Sequence, residues 1–359
     1  MASIYIISDK GKLGKKDETF VFSQPDGSAT ILFPFKTEIL FLVGNVSISG
    51  DALRMLSKYK IPVVFLSSNG KFNSKLVYSD SKNVFLRQKQ YLTLSDPEKS
   101  CAIARSIVEG KLKNQISFMQ RIKRKQLQEN DQLEENINRI KNLLAKVPQA
   151  QNTESLRGIE GMAAKKYFEV FAFNINCKYA VFKTRSKNPP ESNVNAVLSF
   201  LYTLLAYRVE AAVESQGLDT MVGNLHLCDY GRASLVFDLV EEFRTPIADA
   251  VCCALFNFGT LKEVDFEEKD FEKSSEDFPL EKDGEDVPEG KVPASAKKGI
   301  LLTKDGIKKV IKAFEDKLNT QITYDDEKIS YQKIIINQVK HYKRVISGEE
   351  LAYRSFYFK

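Results

Sequence analysis

Two hydrophobic periods divide this chain. Up to about residue 85, apolar and β-branched residues gather in short runs; from about Pro97 onward they recur every three or four positions. The runs 4–8, 19–23, 29–35 and 38–43 are rich in Ile, Val, Phe and Thr and predict strands. Gly11, Gly14, Pro25-Asp26-Gly27 and Gly44-Asn45 punctuate them. Ser49 can cap a helix that runs to about Tyr59. Residues 61–66 return as a buried strand, and Asn69-Gly70 turns the chain into another over 75–79.

The helical period then takes over. Segments 103–128 and 132–146 predict a long helical hairpin broken near Glu129-Asn130-Asp131. Further helices are expected over 154–174, 194–215 and 233–244. Thr245 would cap a new one that starts at Pro246. Terminal helices are expected over 304–318 and 328–347, and no internal repeat is visible. At 359 residues the chain exceeds one comfortable core. The predicted fold class is therefore α+β in two domains. A small β-rich N-terminal domain covers 1–85 and a linker covers 86–100. A larger all-α domain covers 101–359 and carries an acidic mobile segment at about 260–298.

Composition narrows the function classes. No run approaches the ~18 apolar residues that span a bilayer, and the N-terminus lacks the pattern of a secretory signal. The five cysteines are odd in number and form no Cys-x-x-Cys pair, so reduced thiols in a cytoplasmic protein are expected. The net charge of +6 is uneven. Between Glu263 and Glu289, thirteen acidic residues face Lys269, Lys273 and Lys282, a balance of −10 that leaves +16 elsewhere. Such an excess suits a polyanionic partner, or simply a soluble basic protein. The cluster Arg121-Ile-Lys-Arg-Lys125 reads as a solvated helix face.

Candidate chemistry sits in two stretches. Glu160 lies between glycines in Arg157-Gly-Ile-Glu-Gly-Met-Ala-Ala164, and its helical neighbours are Leu156, Ala163, Ala164, Tyr167 and Phe171. A carboxylate on that apolar stripe needs a cation or strong donors. Either a metal or an internal ion pair to Arg157 or Arg244 would serve. His226 precedes the turn Asp229-Tyr-Gly-Arg232, where a structural histidine is the alternative to a ligand. Asp238 with Glu241, and Asp238 with Glu242, share a helix face, which a solvated surface would also explain. His341, in Lys-His-Tyr-Lys-Arg, reads as a surface residue. A Gly-x-Ser-x-Gly elbow, a Walker loop and a Gly-x-Gly-x-x-Gly fingerprint are all missing. Metal-assisted phosphoryl transfer needs no protein nucleophile and stays open.

The ordered motifs Gly158-Ile-Glu-Gly161 with Ala164 and Tyr167-Phe168, Arg185 with Pro189-Pro190, Asn195, Leu198-Ser199 and Tyr202, Gly223-Asn-Leu-His226, and Leu235 through Arg244 lie along most of the chain. Together with Ile48-Ser49, the 61–66 strand, Arg87 and Gln90-Tyr91, they resemble the CRISPR-associated adaptation integrase family (CRISPR-associated protein one). The chain departs from that pattern at Lys187, Ser192 and Thr220.

The resemblance implies a metal-dependent DNA integrase and endonuclease that joins 3′-hydroxyl ends of short foreign fragments to a CRISPR repeat. It implies Mg²⁺ or Mn²⁺ on Glu160, His226 and Glu241, with Asp238 beside them in the catalytic set. Arg87, Lys165, Lys166, Arg185, Asn195, Tyr202, Arg232 and Arg244 are the candidate DNA contacts. The implied partners are double-stranded DNA, a second copy in a homodimer, and a small second adaptation protein completing a heterohexamer, with no membrane. Two other classes remain: a transposon-type, casposase-like integrase and a non-catalytic DNA-binding assembly protein.

Overall fold

The computed structural model of the chain describes residues 2–76, 78, 83–125, 130–186, 189–271 and 297–358. These form two compact units. The first comprises 1–81 with the returning segments 264–267 and 301–308, and the second comprises the rest.

The first unit is built on β1 (Ala2–Lys16), β2 (Thr19–Ser23), β3 (Ala29–Leu32), β4 (Thr37–Ile48), α1 (Gly50–Tyr59), β5 (Val63–Leu66) and β6 (Phe72–Leu76). They make a six-stranded sheet in the order β3-β2-β1-β4-β5-β6. β1 pairs parallel with β4, and β4 with β5; the outer pairs are antiparallel. Ser49 caps α1, its Oγ accepting from Ala52 N at 3.2 Å. Alternate residues from the strands meet Ala52, Met55 and Leu56 of α1 in a core with Ile6, Leu13, Phe20, Leu40 and Val63. Gly11 and Gly14 do not end a strand as expected. They lie inside the long β1, whose register with β4 shifts between Ser8 and Gly11. A Cβ on Gly11 would stand 2.5 Å from the Phe22 ring, so the glycine admits a close neighbour rather than a turn.

The second unit contains α2 (Val84–Ser95), α3 (Pro97–Lys125), α4 (Asp131–Lys146), α5 (Thr153–Phe171), α6 (Asn193–Ser215), α7 (Ser234–Phe243) and α8 (Ala250–Asn257). Residues 86–100, read as a linker, are thus largely helical. β7 (Phe266–Phe271) pairs with β8 (Lys297–Leu302), and α9 (Lys304–Asn319) follows. Residues 272–296, most of the acidic segment expected to be mobile, lie outside the described residues. Then come β9 (Gln321–Tyr324), β10 (Glu327–Ser330) and α10 (Tyr331–Ser347).

The β9–β10 hairpin corrects the all-helical expectation. Asp325 and Asp326 both adopt left-handed backbone at φ 48° and 64°, the geometry of a tight two-residue turn. His341, expected at the surface, stacks on Tyr353 with ring centroids 5.1 Å apart and accepts from Arg354 N at 2.9 Å. Among the described residues one helix, α6, is long and apolar enough to cross a membrane, and most of it is buried within this unit.

The junction after α7 also differs from expectation. Thr245 does not cap a new helix. The chain runs from α7 through a π-helical turn over Arg244–Asp249 straight into α8. Pro246 has no N–H to give the carbonyl of Glu242 four residues back. Asn114 of α3 supplies the missing donor: its Nδ2 is 2.9 Å from Glu242 O and 3.1 Å from Phe356 O, while its Oδ1 accepts from Phe358 N at 2.9 Å. Asn114→Ala would remove the side-chain partner of Glu242 O, Phe356 O and Phe358 N. The expected cost is about 2–4 kcal/mol in chemical denaturation. A shift below about 0.5 kcal/mol would show that the Pro246 junction needs no side-chain donor.

Candidate active site

α7 is amphipathic in sequence yet buried on every face. Asp238, Glu241 and Glu242 are therefore not a solvated surface. α3, α6 and α10 all pack on α7, and each carboxylate must find donors inside the unit.

Asp238 is fully buried and organises the loop before α7. Its Oδ2 accepts from the backbone N–H of Asn224 and from Leu225 N at 2.9 Å; its Oδ1 accepts from His226 N at 2.9 Å. The same Oδ1 is 2.7 Å from His226 Nδ1. That contact orients the ring with Nδ1 on the carboxylate and Nε2 toward Glu241, the arrangement found behind ligating histidines. Gly223 permits the approach: a Cβ there would meet Ser234 C at 2.6 Å and Asp238 Oδ2 at 2.8 Å. The loop is further tied down by Gln90 of α2, which donates to Asp219 O at 2.8 Å and Val222 O at 3.1 Å. Tyr342 of α10 donates to Asn224 Oδ1 at 2.8 Å.

Glu160 lies on α5 at 6% exposure. Neither Arg157 nor Arg244 pairs with it as expected. Arg157 Nη1 donates to Leu225 O at 3.0 Å, and Arg244 Nη2 stands 3.3 Å from Glu241 Oε1. The partner of Glu160 is Lys111 of α3, whose Nζ bonds Glu160 Oε1 and lies 2.7 Å from Glu241 Oε2. Sequence reading missed Lys111. His226 Nε2 faces Glu241 Oε1 at 3.9 Å. Burial pushes the Glu241 carboxyl upward, but Arg244, Lys111 and His226 outweigh burial and hold it below the usual range.

Glu160, His226 and Glu241 thus come from three separate segments to one buried place. Among the described residues no three such side chains already stand at metal-ligand spacing; the Lys111 ammonium lies between the two glutamates instead. The donor set nevertheless suits a divalent ion. Two carboxylates with one imidazole admit Mn²⁺, and Mg²⁺ with added water. Ligands about 2.1 Å from one ion stand ~3 Å apart when adjacent and ~4.2 Å when opposite, and the 3.9 Å gap between Nε2 and Oε1 falls between these. Glu241 Oε2 already meets one cation, the Lys111 ammonium at 2.7 Å.

The candidate DNA contacts separate into two sets. Arg185 donates to Asn195 Oδ1 and Ser199 Oγ, each at 3.1 Å, and its guanidinium lies 5.3 Å from the Tyr202 ring. Arg244 lies 4.9 Å from the same ring. Tyr202 and Tyr167 donate to Asp249 at 2.6 and 2.7 Å, and burial raises the Asp249 carboxyl against those donors. Asn195 and Tyr202 are therefore committed to a network that reaches Glu241 through Arg244. Ser192, one of the departures noted above, caps α6, its Oγ accepting from Asn195 N at 3.2 Å.

The other set is less engaged. Lys165 is exposed on α5, whereas Lys166 donates to Glu169 at 2.8 Å. Arg87 is half-buried on α2. Arg232 is 8% exposed, and its Nε and Nη2 have no hydrogen-bond partner among the described residues. Its guanidinium lies 5.8 Å from the Phe237 ring, the ring that His226 also packs against at 6.1 Å.

The family model for CRISPR associated protein Cas1 matches residues 4–284. The chain belongs to the Cas1 family. It is 30% identical over 357 residues to a CRISPR-associated endonuclease Cas1 of Thermus thermophilus, covering 98% of this chain and 96% of that one. It is 35% identical over 230 residues to a Cas1 endonuclease of Moorella thermoacetica, covering 63% of this chain and 67% of that one. Its fold superposes on a CAS1 protein from Thermotoga maritima with a TM-score of 0.80 at 22% identity, covering 99% and 100% of the two chains. A casposase bound to integration product gives 0.78 at 20% identity, covering 98% and 93%. Membership in Cas1 places the chain among CRISPR-associated endonucleases and integrases, and the β-rich and helical parts read from the two periods are the fold its Cas1 neighbours share.

Proposed function

We propose that this Cas1 protein is the divalent-metal-dependent integrase of CRISPR spacer acquisition, joining 3′-hydroxyl ends of short foreign DNA to the repeat by transesterification. The observation that carries this reading is the convergence of Glu160, His226 and Glu241, with Asp238 turning Nε2 of His226 toward Glu241. Relatives named as CRISPR-associated Cas1 endonucleases, and the casposase bound to integration product that shares its fold, support it. A solved Cas6-RT-Cas1–Cas2 complex, with a TM-score of 0.80 over 99% of this chain, supports a small second adaptation protein as partner. In this reading two homodimers flank a dimer of that partner in a cytoplasmic heterohexamer on double-stranded DNA.

Glu160, His226 and Glu241 would hold Mg²⁺ or Mn²⁺. When bound, the ion supplies positive charge against the five-coordinate phosphate and eases loss of the proton from the attacking hydroxyl. That hydroxyl oxygen forms a new P–O bond while the bond to the leaving 3′ oxygen breaks, and the proton passes to the leaving group. Water in place of the hydroxyl gives strand cleavage. Asp238 keeps the imidazole oriented throughout.

The test is a strand-transfer assay with labelled duplex fragments and a repeat-containing plasmid, with and without the small partner, in Mn²⁺, Mg²⁺ or EDTA. Label joined only with metal supports the integrase. Joining that does not need the partner would favour a transposon-type integrase, and binding without joining a scaffold.

Arg232 supplies a separate prediction. A buried guanidinium with unpaired donors suits a phosphate oxygen. Arg232→Met is expected to weaken duplex binding about tenfold or more and to flatten the salt dependence by about 0.9 in log–log slope. Its melting temperature should not fall, because an unpaired buried cation is removed. Unchanged affinity with a lower melting temperature would assign Arg232 to packing instead.

A further inference from the structure

The geometry points to Lys111 as a resident cation that holds Glu160 and Glu241 together in the metal-free site and gives up that place when the metal binds. This inference rests on the metal reading above. It begins with burial: the Lys111 side chain is 5% exposed, and those of Glu160 and Glu241 are 8% and 3% exposed. Two carboxylates brought this close in so dry a place repel each other and lose their hydration. The ammonium answers both. With Arg244 beside Glu241, two positive groups stand against the two glutamates before any metal arrives, while Asp238 adds a third carboxylate behind His226.

A divalent ion on the same carboxylates must then compete with a charge already in position. Repulsion between the ion and the ammonium rises as the inverse of their separation. Binding therefore requires Nζ to withdraw along its flexible four-carbon stem, which a lysine can do and a rigid arginine fork cannot. The consequence is a folded apo site whose metal is held loosely and exchanges readily. Lys111 is a positioning residue here, since it acts on the ligands and not on substrate.

The test is Mn²⁺ titration calorimetry on the full chain after EDTA treatment and dialysis, comparing wild type with Lys111→Met, Lys111→Gln and Glu160→Gln. Both lysine variants are expected to bind Mn²⁺ about tenfold or more tightly than wild type. They should also melt lower in EDTA and gain more from added Mn²⁺. A purely structural lysine would not raise metal affinity. The glutamine variant keeps amide donors for the carboxylates, so the comparison survives if Lys111→Met does not fold. Equal or weaker Mn²⁺ binding by the lysine variants, with wild-type binding lost in Glu160→Gln, would overturn the role of Lys111 and leave the metal site standing. No Mn²⁺ binding by wild type or by the lysine variants would overturn both.

Discussion

Glu160→Gln is expected to lower metal-dependent cleavage and joining by about a thousandfold or more while leaving the fold intact. The substitution keeps the length and shape of the side chain, and its amide oxygen can still accept from Lys111. What it removes is the negative charge on α5 that shares Lys111 with Glu241. A site left with one carboxylate and one imidazole loses most of its hold on a hard divalent ion. His226→Ala should give a loss of similar size by removing the nitrogen donor. Rates at saturating Mn²⁺, read beside melting temperatures in EDTA, separate chemistry from folding. A Glu160→Gln rate within tenfold of wild type would make Glu160 a counter-ion of Lys111 and nothing more.

Why Glu160 was legible and Lys111 was not is a matter of which pattern was followed. Glu160 stood out because its i−4, i+3, i+4, i+7 and i+11 neighbours are apolar. Lys111 meets that criterion only in part: Ile107, Asn114, Gln115, Phe118 and Ile122 stand at the same offsets on α3, all buried but two of them amides. Among so many lysines it did not stand out. The two readings belong together, because a buried carboxylate on one helix implies a buried cation on another.

The domain order was visible because period two and period 3.6 occupy different halves of the chain. The details lost were those set by tertiary partners. The length of β1 depends on β2 and β4 pairing along it, and the continuity of α7 through Pro246 depends on Asn114 from α3. A solvated face stayed open as an alternative for α7 because periodicity cannot tell water from buried donors. The β9–β10 hairpin was lost because its strands are four residues each and polar, too short to outweigh the adjoining helical pattern.

Asp238 should prove the most costly single position in the site. Its one carboxylate receives three backbone N–H groups and the His226 ring, at 0% exposure. Asp238→Ala leaves four buried donors without acceptors, and water has no ready path to them. The expected loss is about 3–5 kcal/mol of unfolding free energy, measured by urea denaturation, with the 223–226 loop the first region to exchange its amide protons. Asp238→Asn separates stability from chemistry. Its amide nitrogen cannot accept, so it must turn away from either the backbone donors or the imidazole. If the Asn224 and Leu225 N–H groups keep the oxygen, the NH₂ group faces the His226 backbone N–H and Nδ1. The ring then holds its proton on Nε2, where the metal-binding lone pair is needed. Asp238→Asn is therefore expected to lose at least about a hundredfold in rate and to bind Mn²⁺ more weakly while remaining folded. A variant that folds, keeps wild-type Mn²⁺ affinity and keeps its rate would show that the imidazole needs no acceptor at Nδ1, and that Asp238 serves the loop alone.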